Sequence, residues 1–271
     1  MTAISAKEVQ ALRSATGLAM MDCKKALVEA EGNTTRAKDI LRKKFADKMS
    51  ERAERETANG RIGVHADETG AALLELRCET DFVATNTDFA ALADQLAAHV
   101  SSSGIVDVEA YLASPMAEGK SVQELLVDSF GRIKENLKIS RMKRLEGVGA
   151  CYVHHNGRVA AAIVCDGSPG DAGRQICMHI ASTPVILGLV REDVDGKLVS
   201  EARDKAREEA KGKPEAIVEK IVDGKMNKWF GERVLVEQPF VMDDKKTVGA
   251  FAKENGFSIT AFIKYEVGVM D

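Results

Sequence analysis

Ala71-Ala72-Leu73-Leu74-Glu75-Leu76-Arg77-Cys78 runs without a break into Glu79-Thr80-Asp81-Phe82-Val83, and shortly afterwards Thr87-Asp88-Phe89 opens the run Ala90-Ala91-Leu92-Ala93-Asp94-Gln95-Leu96. The first stretch is an apolar segment of strand length. The last repeats its apolar residues every three to four positions, the period of a helix with one buried face. A buried strand therefore hands over to a helix here, and the loop between them holds a phenylalanine beside an aspartate. Such a ring has two readings: it staples the loop to its own core, or it is an anchor aimed at another molecule.

Working outward, the strand is half of a repeated plan. Ile62-Gly63-Val64, a turn at Glu68-Thr69-Gly70 and Ala71-Ala72-Leu73-Leu74 read as strand, turn, strand. Cys151-Tyr152-Val153 and Val159-Ala160-Ala161-Ala162-Ile163-Val164 repeat it around Asn156-Gly157, a strong hairpin signal. Each hairpin precedes an amphipathic helix, and the two helices end alike, in Ala97-Ala98-His99-Val100-Ser101 and in Cys177-Met178-His179-Ile180-Ala181-Ser182. A third strand per half fits the plan, and Ser258 to Val267 alternates clearly enough to complete the second.

The N-terminal segment is helical instead. Ser5-Ala6-Lys7-Glu8 fits a capping box, with Val9 and Leu12 facing inward. Thr16-Gly17 breaks that helix, Met20 to Ala30 makes a second, Gly32 sits where a left-handed cap is needed, and Asn33 or Thr34 caps a third helix striped by Ala37, Ile40, Leu41 and Phe45. After Met49 the chain is charged and nearly devoid of apolar residues, which reads as a linker with some helix. Towards the C-terminus, Ser200 to Lys211 carries a thin seam of Ala202, Ala206 and Ala210, Gly212-Lys213-Pro214 turns it, and Glu215 to Phe230 returns with Ile217, Ile221 and Phe230 as its larger apolar residues. That pair is expected to project as an antiparallel coiled coil, serving either as a spacer or as a second contact arm.

The expected fold class is α+β. The divisions are a helical bundle at 1–46, a charged linker at 47–60, one α/β half at 61–146 and a related half at 147–271, with antiparallel sheets and a helical hairpin inserted at about 198–231.

Composition narrows the function. With 38 basic against 42 acidic residues, the net charge is −4 and no dense basic block is present to neutralise a phosphate backbone, so direct nucleic-acid binding is not expected. No apolar run reaches the roughly 18 to 20 residues of a membrane-spanning helix, and Met1 to Arg13 lacks the apolar centre of a signal peptide. A cytoplasmic location is the expectation. Cys23, Cys78, Cys151, Cys165 and Cys177 are an odd, scattered set that does not read as a disulfide framework. An enzyme reading finds little: His154 and His155 are neighbours in an expected strand and would point to opposite faces, His99 and His179 have no ligand-spaced companion, and no phosphate-binding loop, nucleophile elbow or zinc motif occurs. No covalent chemistry, cofactor or metal is expected of this chain.

The stretch Cys78-Glu79-Thr80-Asp81-Phe82-Val83 resembles the signature of the elongation factor Ts family, guanine-nucleotide exchange factors of the translation GTPase elongation factor Tu. The likeness extends to Thr16-Gly17 with Met20-Met21-Asp22-Cys23-Lys24-Lys25-Ala26-Leu27, to Tyr152-Val153-His154-His155-Asn156-Gly157-Arg158-Val159, to Gly212-Lys213-Pro214-Glu215 and to Glu237-Gln238-Pro239-Phe240-Val241, all in family order. Where members commonly carry Lys-Lys-Ala-x-Arg, this chain has Glu51-Arg52-Ala53-Glu54-Arg55, so no contact of that lysine pair is carried over.

The resemblance implies a ubiquitin-associated-like N-terminal bundle and one partner, elongation factor Tu. It also implies that Asp81 and Phe82 enter the partner's nucleotide domain beside its magnesium site, with Thr80 and Val83 shaping the turn. Met20 and Met21 are candidate contacts or bundle core, and His154 is a candidate contact or a satisfied buried histidine. A pure adaptor, with the bundle recruiting partners, is the alternative function.

Overall fold

A computed structural model describes residues 4–116 and 119–269, so the start of the Met1 to Arg13 segment lies outside the described residues. Helices and antiparallel strands are both present in quantity, an α+β protein. The described chain divides into two compact units, one holding 4–63 and 74–142, the other 64–73 and 143–269.

In the first unit, α1 (Ala6–Thr16), α2 (Met20–Glu29) and α3 (Thr34–Glu51) follow the sequence punctuation closely. The Ser5 hydroxyl accepts from the Glu8 N–H and the Glu8 carboxylate accepts from the Ser5 N–H, completing the capping box. Gly17, at φ +69°, ends α1 in the left-handed conformation, and the Asn33 side chain caps α3. Helix α3 continues to Glu51, into the charged segment, because Phe45 and Met49 still have apolar neighbours there.

Strands β1 (Asn59–Ala66) and β2 (Gly70–Cys78) form the expected hairpin. After them come α4 (Asp81–Ala84), α5 (Thr87–Ser103), α6 (Val108–Ala113), α7 (Val122–Ile133) and β3 (Lys138–Glu146), and the sheet order is β1-β2-β3. Helix α5 lies hard against β1: a Cβ on Gly63 would fall 2.0 Å from the Ala93 carbonyl oxygen. The bundle does not close on itself. Its core of Leu12, Leu18, Cys23, Leu27, Leu41 and Phe45 continues into Val127 and Phe130 of α7, so α7 acts as a fourth helix.

The second unit repeats the plan. Strands β4 (Val148–Val153) and β5 (Val159–Asp166) pair antiparallel with Ala150 opposite Ile163. They are followed by α8 (Gly170–Ser182), the hairpin α9 (Gly196–Glu209) and α10 (Glu215–Arg233), β6 (Pro239–Phe240), β7 (Asp243–Thr247), α11 (Val248–Glu254) and β8 (Ser258–Glu266). β8 adds to β5 antiparallel, in sheet order β4-β5-β8, close to the span expected from alternation. Their core joins Ile163, Ile176, Ile180, Leu235, Phe240 and Val248.

Two expectations are corrected. The apolar face of α10 is Val218, Val222, Met226 and Phe230, one position on from Ile217 and Ile221. Ile217 is exposed because the four-residue repeat that meets Ala202 and Ala206 is set by Phe230 at the base of the hairpin, and counting back from it lands on Met226, Val222 and Val218. His154 and His155 lie beyond β4, in the turn: Gly157 at φ +71° and the Gly157 N–H to His154 carbonyl bond close it there, and the two rings come to 4.3 Å between centroids on one side instead of diverging.

Candidate partner-binding site

The segment after β2 is a capped turn of helix, not an open loop. Thr80 is extended at φ −117°, ψ 157°, and its hydroxyl accepts from the Val83 N–H at 3.4 Å, which starts α4. One turn later the Thr85 hydroxyl donates to the carbonyls of Asp81 and Phe82, and the Asn86 side chain accepts from Asp88 and Phe89 N–H groups to start α5. Two short polar caps thus bracket four residues. A four-residue helix cannot stabilise itself, since nucleation is unfavourable and little propagation follows, so its shape is imposed by its flanks.

Those flanks decide where each side chain goes. Ala84 and Phe89 turn inward and are buried, Val83 is half-buried, and Asp81 and Phe82 face solvent. The Phe82 ring is 83 % exposed, more than any other large apolar residue described. Of the two readings of this ring, the home staple is excluded by its exposure.

The base of the turn is tied down. The Cys78 thiol donates to the Thr80 carbonyl at 3.2 Å, and burial with the nearby Glu135 carboxylate pushes that thiol up to about 12. Asn59 donates to the Glu79 carbonyl, and Arg55 pairs with the Glu79 carboxylate at 3.3 Å. Glu79 titrates low despite partial burial, because the Asn136 N–H and Arg55 stabilise its charged form. Arg52, from the segment that departs from Lys-Lys-Ala-x-Arg, donates to the Lys134 carbonyl and covers the Phe130 ring at 5.7 Å. Glu135 and Asn136 also grip this base. They are absent from the sequence-based candidates, and only their position after α7 brings them here.

The other candidates sit elsewhere. Met20 and Met21 are both exposed at the start of α2, whose buried residues are Cys23, Ala26 and Leu27, so neither methionine is bundle core. Just behind them, Lys44 holds Asp22 at 2.7 Å and keeps its carboxylate titrating low. His154 belongs to the second unit. It is half-buried and its Nδ1 meets the Tyr152 hydroxyl at 3.1 Å, while Arg174 covers the Tyr152 ring. Among the described residues, no group of three or more His, Cys, Asp or Glu side chains converges as a metal site, and no helix is long and apolar enough to cross a membrane.

Residues 79–269, beginning at the base of this turn, match the family described as Elongation factor TS. The chain belongs to the elongation factor Ts family. It is 40% identical to the elongation factor Ts of Azoarcus sp. (strain BH72), over 99% of this chain and 92% of that protein. It is 37% identical to that of Levilactobacillus brevis over 98% and 92%, and 38% identical to that of Mycobacterium avium (strain 104) over 99% of both. As an elongation factor Ts family member, the chain carries its exposed phenylalanine where the matched region starts, and the helical bundle lies largely before that region.

Proposed function

We propose that this chain is the guanine-nucleotide exchange factor of elongation factor Tu. It binds the GDP-bound partner, promotes GDP release by inserting the Asp81-Phe82 turn near the partner's magnesium site, and holds the nucleotide-free form until GTP binds. The observation that carries this reading is the anchored turn with an 83 % exposed phenylalanine at its tip. An apolar ring held in water on a rigid base has most to gain from a pocket on another protein.

Exchange requires binding the empty partner more tightly than the GDP-bound one, and nucleotide then weakens the factor by the same ratio. A thousandfold coupling corresponds to about 4 kcal/mol. Full burial of one phenylalanine is worth roughly 1.5–3 kcal/mol, so a pocket that opens only as nucleotide leaves supplies a large share of the coupling. Magnesium bridges the terminal phosphates and demands near-ideal octahedral ligands, so a small displacement of one partner oxygen loosens the clamp on GDP. Thr80 and Val83 shape the turn that delivers the ring.

Met20, Met21 and His154 are proposed as further contacts, the methionines because thioether side chains fit varied apolar surfaces. In the same reading the N-terminal bundle is ubiquitin-associated-like, α9 and α10 form an antiparallel coiled coil that serves as a spacer or as a second arm, and the protein works in the cytoplasm without covalent chemistry of its own.

Release of fluorescent GDP from elongation factor Tu tests the proposal. Substoichiometric amounts of this chain are expected to raise the off-rate steeply. An unchanged off-rate in the presence of binding would instead mark an adaptor.

A further inference from the structure

We propose that Glu135 is a positioning residue for the Phe82 turn, its carboxylate setting the direction in which the ring is presented; this rests on reading Phe82 as the element that engages the partner. Glu135 Oε2 accepts from the backbone N–H of Glu79 at 3.1 Å and of Thr80 at 3.0 Å, and Oε1 accepts from the Thr80 hydroxyl at 2.5 Å. Three donors from two consecutive residues therefore converge on one carboxylate, which fixes the chain just before α4 in all three dimensions.

The grip is reciprocal. Glu79 Oε1 accepts from the Asn136 N–H at 2.7 Å, and the Asn136 amide donates to the Arg55 carbonyl at 3.1 Å and to the Ala53 carbonyl at 3.4 Å. Residues 79–80 and 135–136 are cross-stitched, each pair supplying a carboxylate to the other's backbone. Glu135 reaches this place because α7 ends at Lys134 in the left-handed conformation, φ +66°, rare for a residue with a side chain. The Lys134 carbonyl is held by Arg52, and its ammonium lies 3.8 Å from the Phe45 ring centroid and 3.9 Å from Asp22.

One detail distinguishes positioning from general cohesion. By donating to Glu135, the Thr80 hydroxyl is rotated so that its lone pair meets the Val83 N–H, the bond that starts the helical turn. The carboxylate thus sets both the backbone before the turn and the cap that begins it. The three bonds to the Glu135 carboxylate all end on the backbone of residues 79–80 or on the Thr80 hydroxyl, so their loss frees the turn while the core stays intact.

The test uses the full chain with elongation factor Tu carrying fluorescent GDP, and compares Glu135→Ala, Glu135→Gln, Glu135→Asp and Phe82→Ala. Glu135→Gln keeps the reach, can still accept both N–H bonds on its one oxygen and donates from its NH2 to the Thr80 hydroxyl, whose other lone pair stays free for the Val83 N–H. Glu135→Asp keeps the charge but is one methylene too short. Positioning predicts that Glu135→Ala and Glu135→Asp cut the maximal release rate at least tenfold, with the half-maximal concentration moving less than threefold. Glu135→Gln is expected to stay within threefold of the parent. Amide hydrogen exchange of residues 80–85 in the free protein should accelerate at least tenfold in the alanine and aspartate variants, with β2 and β3 unchanged.

Parent-like release and parent-like exchange in Glu135→Ala, alongside a defective Phe82→Ala, would overturn the role of Glu135 and leave the wedge standing. Unchanged release in Phe82→Ala would overturn the wedge and with it the presentation role, whatever Glu135 does to local exchange. Should Glu135→Ala fail to fold, the other pair decides: glutamine above aspartate supports positioning, and aspartate equal to or above glutamine rejects it in favour of charge alone.

Discussion

Phe82 and Phe89 stand on consecutive helical segments, one turned fully into the protein and the other almost fully out of it. The Asn86 cap between them makes the difference. It ends the first turn and restarts the helix in a new direction, so that two rings a short distance apart in sequence face opposite ways.

Exchanging each ring for alanine should therefore give opposite results. Phe82→Ala is expected to leave the thermal midpoint essentially unchanged while lowering stimulated GDP release at least tenfold. Phe89→Ala should cost about 3–5 kcal/mol of stability, the usual range for emptying a buried aromatic site. Denaturant melts and release kinetics on both variants check this. Equal losses of stability would contradict the division between them.

Shortening the helical hairpin tests its role, because its base is held separately from its tip. Arg203 and Asp223 face each other at 3.0 Å across α9 and α10, and Val222, Met226 and Phe230 hold the hairpin's apolar face. Replacing residues 204–222 by two glycines removes Ala206, Val218 and Val222 but keeps Met226 and Phe230 at the base, so the rest of the chain should remain folded. Read as a second arm, the hairpin's loss should weaken binding to elongation factor Tu at least tenfold in a titration. Parent-like affinity would make it a spacer.

Acid should loosen the second unit through His179. This side chain is buried, its Nε2 pairs with the Gln238 side-chain oxygen at 3.0 Å, and its Nδ1 accepts from the Val241 N–H at 3.2 Å. Burial lowers its pKa below 6.5, outweighing the opposing effect of Gln238, so the unfolded chain takes up a proton first. The stabilising contribution is complete above pH 6.5 and is lost as pH falls below it, through the folded-state pKa. His99, also lowered by burial, acts in the same direction. Urea midpoints measured from pH 7.5 down to 5 should fall less steeply for His179→Gln than for the parent chain, and parallel profiles would contradict the assignment.

Thiol chemistry should single out Cys151. Cys23, Cys78, Cys165 and Cys177 are buried, and burial raises the thiols of Cys78, Cys165 and Cys177. Cys151 is half-buried. A chromogenic disulfide reagent is expected to titrate at most this one thiol in the native protein and the rest only after unfolding. Mass mapping of the labelled residue checks it.

Much of the architecture is legible in local patterns. The Ser5–Glu8 box, the Gly17 stop, both hairpins and the alternating Ser258–Glu266 strand each declare themselves within a few residues, because caps, turns and alternation are short-range effects. The signal for α7 is of the same kind, Ser121 and Glu124 forming a capping box identical in logic to the first. What sequence does not report is which helix completes which core. Nothing in 1–46 announces that Phe45 will need Val127 and Phe130. The site shows the same limit: Thr80 to Val83 stand out as a motif, while Glu135 is an ordinary charged residue until folding carries it to the Thr80 backbone. The slip of one position along α10 has a related cause, since Ile and Val are equally apolar and only Phe230 fixes the phase.

The cross-stitch at 79–80 and 135–136 also separates two kinds of hereditary change. On the proposed reading, alterations at the tip would change the speed of a partner's turnover and leave a melting curve untouched, so a screen for solubility or heat resistance would pass them all. On the same reading, alterations at the stitch would change aim without changing the tool, and a lineage could retune its rate from the end of α7, with residue 82 left as phenylalanine throughout.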